Sequence, residues 1–333
     1  MLASARSAGK KQEFDGHTYT VEELTADSFK GIDIALFSAG GSISKSLGPV
    51  AAAAGAVVVD NSSAFRMTDG VPLVIPEVNP EDMAHIKLGS GKASSHSLGR
   101  IGTGRELAVG CCLLALQGAI IANPNCSTII ALMAVTPLHR LAGVKRMVVS
   151  TYQAASGAGA AAMEELRQQT LDVLEGRPAQ PKIFPQQYAF NLFSHNSKMD
   201  VELGYNEEEV KMMKETHKIW KNEQVKITAT CIRVPIMRAH AESINLEFER
   251  DISEAEALAA LEKAAGVSVI NDREKNRFPT PLDATTRDDV YVGRVRRDIS
   301  RDDNKGLDLF VCGDQIKKGA ALNAVQIAEL LLK

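Results

Sequence analysis

The chain has 333 residues, enough for two domains of about 150 residues with full cores. Its 38 Lys and Arg against 41 Asp and Glu give a net charge of −3. This near-balance excludes a broadly polycationic nucleic-acid binder and argues against a membrane-surface protein. No run reaches about 18 apolar residues, so no membrane span is predicted. A composition of 45% hydrophobic and 24% charged residues is typical of a folded globular chain.

The cysteines predict neither a zinc site nor a disulfide framework. Their number is odd, and none stands in a CxxC or Cys/His ligand spacing, which favours a reducing compartment. No hydrophobic leader opens the chain, so no targeting segment is predicted. The five cysteines are Cys111, Cys112, Cys126, Cys231 and Cys312.

The first third of the chain alternates strands and helices. An apolar run over residues 32–39 ends in Gly40-Gly41 and predicts a strand buried on both faces of a parallel sheet. A helix over 44–54, ended by Gly55, leads to a second buried strand and completes a βαβ unit, where cofactors bind beyond the strand ends. The strands predicted in this region cover residues 32–39, 56–60, 73–78 and 119–122.

From residue 144 the predicted strands are longer and alternate polar with apolar residues. Such alternation favours an antiparallel sheet with one face covered by helices. The closing stretch 319–331 predicts an amphipathic helix that could pack on the first domain. The other strands are predicted over 226–236, 243–249, 290–297 and 307–312, and the helices over 159–175, 207–221 and 253–265.

Residues 123–128 (NPNCST) open a long apolar helix that extends to about residue 141. A thiol at a helix start meets unpaired N–H groups and the positive end of the dipole, and both favour the thiolate. The thiolate is the nucleophile in acyl-enzyme chemistry. Most free cysteines are buried core residues, which is the alternative for Cys126, but its place directly after Pro124-Asn125 favours the nucleophile.

Two further segments carry polar groups at predicted strand ends. The segment RVPIMRAH (residues 233–240) supplies a histidine that can move a proton and arginines that can bind a carboxylate or phosphate. The segment STYQAASGAG (150–159) leads from a strand into a small-residue turn, where a flat ligand could approach and Gln153 could orient a substrate amide or carboxylate. A plain strand–helix connection is the alternative for this segment.

Nine motifs together resemble those of aspartate-semialdehyde dehydrogenases, in the same order. The resemblance covers the chain except residues 93–117, and it implies an incomplete Rossmann-type doubly wound parallel sheet plus an α+β domain with a mainly antiparallel sheet, like glyceraldehyde-3-phosphate dehydrogenase. It implies a truncated NADP-binding domain at 1–125, a catalytic and dimerisation domain at 126–316, and a helix at 317–333 that returns to the first domain. The motifs are LASARSAGK, FSAGG, DNSSAFRM, VPLVIPEVNP, NPNCST, STYQAASGAG, ETHKI, RVPIMRAH and KGAALN.

The family reaction reduces aspartyl-4-phosphate with NADPH to aspartate 4-semialdehyde and inorganic phosphate, on the way to lysine, threonine and methionine. By resemblance, Cys126 forms the thioester intermediate, His240 is the acid–base residue and Gln153 positions the substrate. Arg233 matches the residue that binds the substrate α-carboxylate. Glu215 resembles the partner of the substrate ammonium group.

The same resemblance implies the phosphate and cofactor contacts. Arg66 and Lys218 match the phosphate-binding pair of the family. Two fixed cations are what a tetrahedral dianion requires. Arg6 and Ser7 match the turn that binds the 2′-phosphate and favours NADP over NAD. The remaining cofactor contacts are expected at Ser38, Gly40, Asn61, Ser156, Gly157 and Gln315.

The sequence departs from the family in two places. The family begins with a strand and a glycine fingerprint that holds the pyrophosphate, and this sequence starts at what would be the second strand. Residues 93–117 are Ser/Gly-rich and then apolar, which suggests a retained intron or a splice variant. The absent fingerprint leaves open a catalytically dead, truncated relative acting as a dimer subunit. A second alternative, within the same reaction class, is an N-acetyl-glutamyl-phosphate reductase type of enzyme, whose cysteine and histidine lie in different local motifs.

The expected partners are a small-molecule substrate, inorganic phosphate and a second copy of the chain in a homodimer. No nucleic acid, membrane or metal is expected. The expected location is the plastid in a plant or alga and the cytoplasm otherwise.

Overall fold

The computed structural model of the chain describes residues 1–88 and 120–333. The predicted insertion at 93–117 lies outside the described residues, as do Cys111 and Cys112. Two compact units divide the chain. The first comprises Met1–Val74, the described part of Pro80–Asn123, and Ala324–Lys333, and the second comprises Ile75–Asn79 and Pro124–Asn323.

Four short strands open the first unit. β1 (Leu2–Ala3) and β4 (Glu22–Glu23) pair in parallel, while β2 (Lys11–Phe14) and β3 (His17–Thr20) form an antiparallel hairpin. The hairpin turns through Asp15-Gly16, a dipeptide typical of two-residue hairpin loops. These strands are mostly exposed, so they add little to the core of this unit.

A three-stranded parallel sheet and one helix form the centre of the first unit. The strands run in the order β5 (Ile34–Phe37), β6 (Val57–Asp60), β7 (Ile120–Ala122), and α1 (Gly41–Ala53) connects β5 to β6. β6 is wholly buried, as predicted. The expectation that residues 32–39 are buried on both faces is wrong. Among the described residues β5 pairs with β6 alone, and Leu36 on this edge strand is 53% exposed.

The predicted strand at 73–78 is also wrong. Leu73 makes a single parallel bridge to Ala122, and the chain then turns. Pro76 lacks the N–H that a continuing ladder requires. The Ile75 carbonyl instead accepts hydrogen bonds from the N–H groups of Val78 and Asn79, which closes the turn.

A seven-stranded mixed sheet organises the second unit. Its order is β14-β15-β16-β13-β8-β12-β9, and β10 pairs with β11 separately. The β8–β12 and β14–β15 pairs are parallel and the other four neighbours are antiparallel, so the expected mainly antiparallel sheet is confirmed. The strands are β8 (Val144–Gln153), β9 (Phe193–Ser194), β10 (Met199–Asp200), β11 (Tyr205–Asn206), β12 (Lys226–Arg233), β13 (His240–Phe248), β14 (Val267–Val269), β15 (Val290–Arg297) and β16 (Gly306–Gly313).

The helices predicted after residue 125 are present close to their predicted positions, and some of them pack on this sheet. α2 packs against β8, β13, β15 and β16 and is buried almost throughout, as suits a helix that is apolar on all sides, and Pro137 lies inside it. The helices are α2 (Cys126–Ala142), α3 (Ala160–Leu174), α4 (Glu207–Trp220), α5 (Glu254–Glu262), α6 (Pro281–Ala284) and, at the end of the chain, α7 (Leu322–Leu330).

The C-terminal segment begins with a π-helical turn, Lys317–Ala321, that leads into α7. Ala324 and Ile327 of α7 join the core of the first unit, where they pack with Val57 and Ile121. In the part of the chain that the structure describes, no helix has the length and apolar character needed to cross a bilayer.

Candidate active site

Cys126 is the first residue of α2, and its thiol is partly exposed. Asn125 caps the helix: its Oδ1 accepts hydrogen bonds from the N–H groups of Ser127 (3.0 Å) and Thr128 (3.2 Å). The predicted helix start is therefore confirmed. The positive end of the helix dipole favours an anionic sulfur at this position.

Two carboxylates of α4 hold Asn125 in place. Glu215 Oε2 accepts the Asn125 backbone N–H at 2.6 Å, and Glu208 Oε1 accepts the Asn125 side-chain N–H at 2.9 Å. The two glutamates are seven residues apart, which puts both on one face of the helix. Glu208 was not predicted from the sequence. Its spacing from Glu215 is a signal that could have suggested it.

Glu208 also binds Gln153, the last residue of β8. Gln153 Nε2 donates to Glu208 Oε1 at 3.1 Å, while Thr151 Oγ1 donates to Gln153 Oε1 at 3.0 Å. Burial raises the pKa of Glu208, but His195, Lys211 and the hydrogen bonds from Asn125 and Gln153 outweigh it and lower the pKa to about 2. Glu208 is therefore an ionised acceptor at neutral pH.

Arg233 pairs with Gln153 across the β8–β12 ladder and is buried. It donates to the Ala154 carbonyl (3.2 Å) and to Asn196 Oδ1 (3.3 Å), and its guanidinium lies 5.6 Å from the centroid of the Phe184 ring. Burial lowers the pKa of Arg233, but an arginine still remains charged. Asn196 is a second neighbour of this site that was not predicted.

His240 opens β13 and is fully buried. Its Nδ1 accepts the Ala154 backbone N–H at 3.0 Å, so a neutral ring carries its proton on Nε2. Among the described residues Nε2 has no hydrogen-bond partner. Burial first, and then the charge of Arg233, lower the pKa of His240 to about 3. The imidazole is thus neutral at physiological pH.

Gly157 lies against both His240 and Arg233. A Cβ at this position would be 3.0 Å from His240 Cε1, 3.1 Å from Nε2 and 3.3 Å from an Arg233 nitrogen. Only glycine permits so close an approach of the backbone to the ring.

Gln315 and Ser156 line the same region. Gln315 donates to Ser156 Oγ and accepts the Ala239 N–H at 3.0 Å.

The second unit therefore brings the predicted catalytic and substrate residues into one cluster. Arg233 pairs with Gln153 across the β8–β12 ladder, and both Arg233 and His240 lie against Gly157. Lys218 lies on α4, three residues after Glu215, and is half-buried. Within residues 1–88 and 120–333, no group of three His, Cys, Asp or Glu side chains is arranged to hold a metal ion.

The first unit carries the predicted phosphate residue Arg66, which is 8% exposed. Its Nε donates to the Asn123 carbonyl at 2.8 Å and its terminal nitrogen to the Asn61 carbonyl at 3.1 Å. The Asn61 side chain accepts a hydrogen bond from the Asn123 side chain at 2.7 Å. These contacts hold Arg66 and Asn61 together at the end of β6.

The start of α1 fits the phosphate groups of a dinucleotide. Gly40, with a φ of 87°, occupies the N-cap, and none of the described side chains caps the first N–H groups. No atom of the described residues would lie within 4 Å of a Cβ at Gly40, and Ser38 is exposed at the carboxyl end of β5. A helix N-terminus after a parallel strand suits an anionic phosphate. Arg6 and Ser7 lie in a short 3₁₀ turn of this unit, with Arg6 exposed.

Comparisons with known proteins show the family to which the chain belongs. Residues 1–86 match the family described as "Semialdehyde dehydrogenase, NAD binding domain", and residues 135–318 match "Semialdehyde dehydrogenase, dimerisation domain". The sequence is 51% identical to the aspartate-semialdehyde dehydrogenase of a Synechocystis species, over 100% of this chain and 88% of that protein. It is 49% identical to that of Aquifex aeolicus, over 100% of this chain and 89% of that protein.

A solved structure gives the same result for the fold. The crystal structure of aspartate semialdehyde dehydrogenase II from Vibrio cholerae matches with a TM-score of 0.86 at 40% identity, over 99% of this chain and 89% of that chain. A structure of the same enzyme complexed with ASA also matches with a TM-score of 0.86 at 40% identity, over 99% of this chain and 88% of that chain. The chain thus belongs to the aspartate-semialdehyde dehydrogenase family.

Proposed function

We propose that the chain catalyses the reductive dephosphorylation of aspartyl-4-phosphate to aspartate 4-semialdehyde with NADPH. The observation that carries this proposal is that Glu208 links the helix cap beside Cys126 to Gln153. Arg233 pairs with Gln153, and it lies with the buried His240 against Gly157. The names of its relatives, at 51% and 49% identity, support the substrate class.

Cys126 is the nucleophile in this proposal. Its sulfur attacks the carbonyl carbon of the acyl phosphate, the carbon–oxygen bond to phosphate breaks, and inorganic phosphate leaves with the electron pair. The product is a thioester on Cys126. The first turn of α2 favours the anionic sulfur at the start of this step and again when the thiolate is released.

In this proposal His240 forms a hydrogen bond to the carbonyl oxygen of the substrate. NADPH, when bound, would supply a hydride to the thioester carbon, and negative charge would then develop on the carbonyl oxygen. The Nε2–H of a neutral His240 can donate a hydrogen bond to that oxygen. When the carbonyl re-forms, the carbon–sulfur bond breaks, the semialdehyde leaves and Cys126 becomes a thiolate again. His240 therefore acts in this step as a hydrogen-bond donor to the oxyanion, and the acid–base role that the family resemblance implies stays a prediction.

Arg233, Glu215 and Gln153 bind the amino-acid part of the substrate. The Arg233 guanidinium suits the α-carboxylate, since its fork matches two carboxylate oxygens. Glu215 is the partner of the ammonium group, and Gln153 orients the chain of the substrate. The buried hydrogen bonds of Gln153 support this role because they leave its amide one orientation.

Phosphate and cofactor contacts complete the proposal. Arg66 and Lys218 bind phosphate, and Arg6 and Ser7 select NADP over NAD through the 2′-phosphate. The other cofactor contacts are Ser38, Gly40, Asn61, Ser156, Gly157 and Gln315.

The larger organisation is also proposed. Residues 1–125 bind the dinucleotide, 126–316 carry catalysis and dimerisation, and 317–333 return to the first domain. The working form is a homodimer, located in the plastid if the source is a plant or alga and in the cytoplasm otherwise. Support comes from the matches to NAD-binding and dimerisation domains.

The test is phosphate-dependent formation of NADPH from aspartate 4-semialdehyde, inorganic phosphate and NADP⁺ by the purified full chain. Turnover that requires phosphate and is lost in Cys126→Ala, while NADPH still binds, would support the proposal. Cys312→Ala is the matched control, because Cys312 is buried in a separate small cluster with Ala241 and Ala284. A wild-type chain that neither turns over nor binds NADPH would favour the inactive dimer subunit instead.

A further inference from the structure

We propose that Glu208 is a positioning residue for the reaction, which holds the helix cap beside Cys126 and the substrate-orienting Gln153 in a fixed relation. This inference rests on the proposed function. No substrate contact is assigned to Glu208, which acts through Asn125 and Gln153.

A single carboxylate oxygen joins the two groups. Glu208 Oε1 accepts from Asn125 Nδ2 at 2.9 Å and from Gln153 Nε2 at 3.1 Å. Asn125 precedes the nucleophile directly, whereas Gln153 ends β8. The carboxylate therefore links the start of α2 to the end of a central strand.

Both amides are held in one orientation by their other ends. Asn125 Oδ1 is committed to two N–H groups of the first turn of α2, and Gln153 Oε1 is committed to the Thr151 hydroxyl. Each NH₂ group must then point to Glu208. If the acceptor is removed, two buried N–H donors lose their partner, and neither amide can rotate without breaking its other bonds.

The chemistry of Glu208 suits this task. An ionised carboxylate only accepts, so it can serve two donors at one oxygen, and its pKa near 2 keeps it ionised. Glu208 itself is buried, at 5% exposure. Its second oxygen, Oε2, lies 3.5 Å from the Lys211 ammonium, which is nearer the surface and balances the charge.

Glu209 provides a matched control on the same helix. It is also buried, and its carboxylate also accepts two hydrogen bonds, from the N–H groups of Asn206 and Cys231. Neither donor belongs to the proposed catalytic groups. A loss of stability common to both glutamates can therefore be separated from an effect on the reaction.

The first test compares kcat, KM and thermal stability in Glu208→Ala and Glu209→Ala. We expect kcat to fall by ~10²-fold in Glu208→Ala, as for a misplaced reacting group, with a smaller change in KM. In Glu209→Ala we expect a similar loss of Tm with little change in kcat. An unchanged kcat in a folded Glu208→Ala, or an equal kcat loss in both variants, would overturn the proposal.

The second test separates the effect of side-chain length at position 208 from the effect of its charge. It remains informative if Glu208→Ala folds poorly. Glu208→Gln keeps the length and an acceptor oxygen but loses the charge, whereas Glu208→Asp keeps the charge and shortens the reach. Positioning predicts that the glutamine variant recovers most of kcat and the aspartate variant does not. The opposite ranking would show a role of charge alone and would overturn the inference.

A double variant tests whether Glu208 acts through Gln153. If it does, the kcat loss in Glu208→Ala combined with Gln153→Ala should be smaller than the product of the two single losses, because only the effect through Asn125 adds to that of Gln153→Ala. Losses that multiply would mean that the two residues act independently, and this result would contradict the assignment.

A readout without turnover separates this inference from the proposed function. The rate of alkylation at Cys126, followed by peptide mass spectrometry with iodoacetamide, should fall in Glu208→Ala because the helix cap loosens. Removal of a nearby negative charge alone would raise this rate. An alkylation rate that is unchanged or raised in Glu208→Ala would contradict the positioning role. A wild-type chain without phosphate-dependent turnover would refute only the proposed function.

Discussion

The backbone N–H of Ala154 donates a hydrogen bond to Nδ1 of the buried His240 ring at 3.0 Å. A backbone N–H can only donate, so Nδ1 must be unprotonated and the neutral ring carries its proton on Nε2. The only way for Nε2 to become an acceptor is a change of tautomer that breaks this bond. The relationship between these two residues therefore makes His240 a donor at neutral pH.

The pH profile of the reaction should reflect this state of His240. With a pKa near 3, the ring is protonated only below that pH and stays neutral across the range of about 5 to 8 where an ordinary histidine titrates. We expect no inflection in kcat/KM from His240 within that range. His240→Gln, which keeps an N–H donor, should retain more activity than His240→Ala. An inflection near pH 6.5 that vanishes in His240→Gln would contradict this.

The stability of the folded chain should fall on acidification because the pKa of His240 is lowered by folding. His240 is unprotonated when folded and regains an ordinary pKa near 6.5 when unfolded, so the unfolded chain binds the extra proton between these values. The free energy of unfolding therefore decreases as the pH falls from about 6.5 toward 3. Urea titrations at pH 7 and pH 5 should show a smaller decrease in His240→Gln than in the wild type. Equal decreases in both would contradict the predicted linkage.

Gly157→Ala should impair the reaction because the new methyl group meets the His240 ring at 3.0 Å and an Arg233 nitrogen at 3.3 Å. The ring or the guanidinium must shift by a few tenths of an ångström. We expect kcat/KM to fall by at least about tenfold, equivalent to ~1.4 kcal/mol, with a loss of stability of about 1–3 kcal/mol from overpacking. Steady-state kinetics and a urea titration measure the two effects. A kcat/KM equal to that of the wild type would mean that the methyl group fits beside His240 and Arg233 without displacing them.

The buried Lys318–Glu77 ion pair should contribute to the stability of the second unit. Lys318 lies in the π-helical turn at 1% exposure. Burial lowers its pKa, while the Glu77 charge acts in the opposite direction. Glu77→Gln leaves the ammonium without this charged partner, and we expect a loss of about 3 kcal/mol.

The double variant Glu77→Gln with Lys318→Met should lose less than the sum of the two single variants, since no buried charge is left uncompensated. Urea titrations of the four chains measure this coupling. Strict additivity would show that the pair does not interact.

Lys218→Ala should weaken the use of phosphate. Removal of one of two cations around a dianion is expected to raise the KM for phosphate by about tenfold or more, with a smaller effect on the KM for the semialdehyde. Lys214→Ala, one turn earlier on α4 at an exposed position, is the matched control. An unchanged phosphate response in Lys218→Ala, or an equal change in the control, would remove this assignment.

Local sequence determined much of the architecture. The run of valines before Asp60 forms the buried β6, and the apolar stretch after Asn125 forms the buried α2, because hydrophobic periodicity and capping act within a few residues. The same reasoning failed for Leu36. Its apolar neighbours predict a strand, but the number of strands beside it decides whether that strand is buried.

The ordered motifs also led to the family and to Cys126, His240 and Arg233 as candidates. The residues that surround these three candidates could not be predicted from the sequence in the same way. Glu208 was missed because its partners Asn125 and Gln153 lie 83 and 55 residues away along the chain.

The difference between what the sequence determined and what only the tertiary structure determined has a physical cause. Strand and helix positions, the helix start at Cys126 and the family motifs come from neighbouring residues, whose backbone preferences are local. The tautomer of His240, the ionised state of Glu208 and the clearance at Gly157 come from residues distant in sequence. They depend on burial and on hydrogen bonds that exist only after β8, β12, β13 and α4 have packed together, so only the tertiary structure decided them.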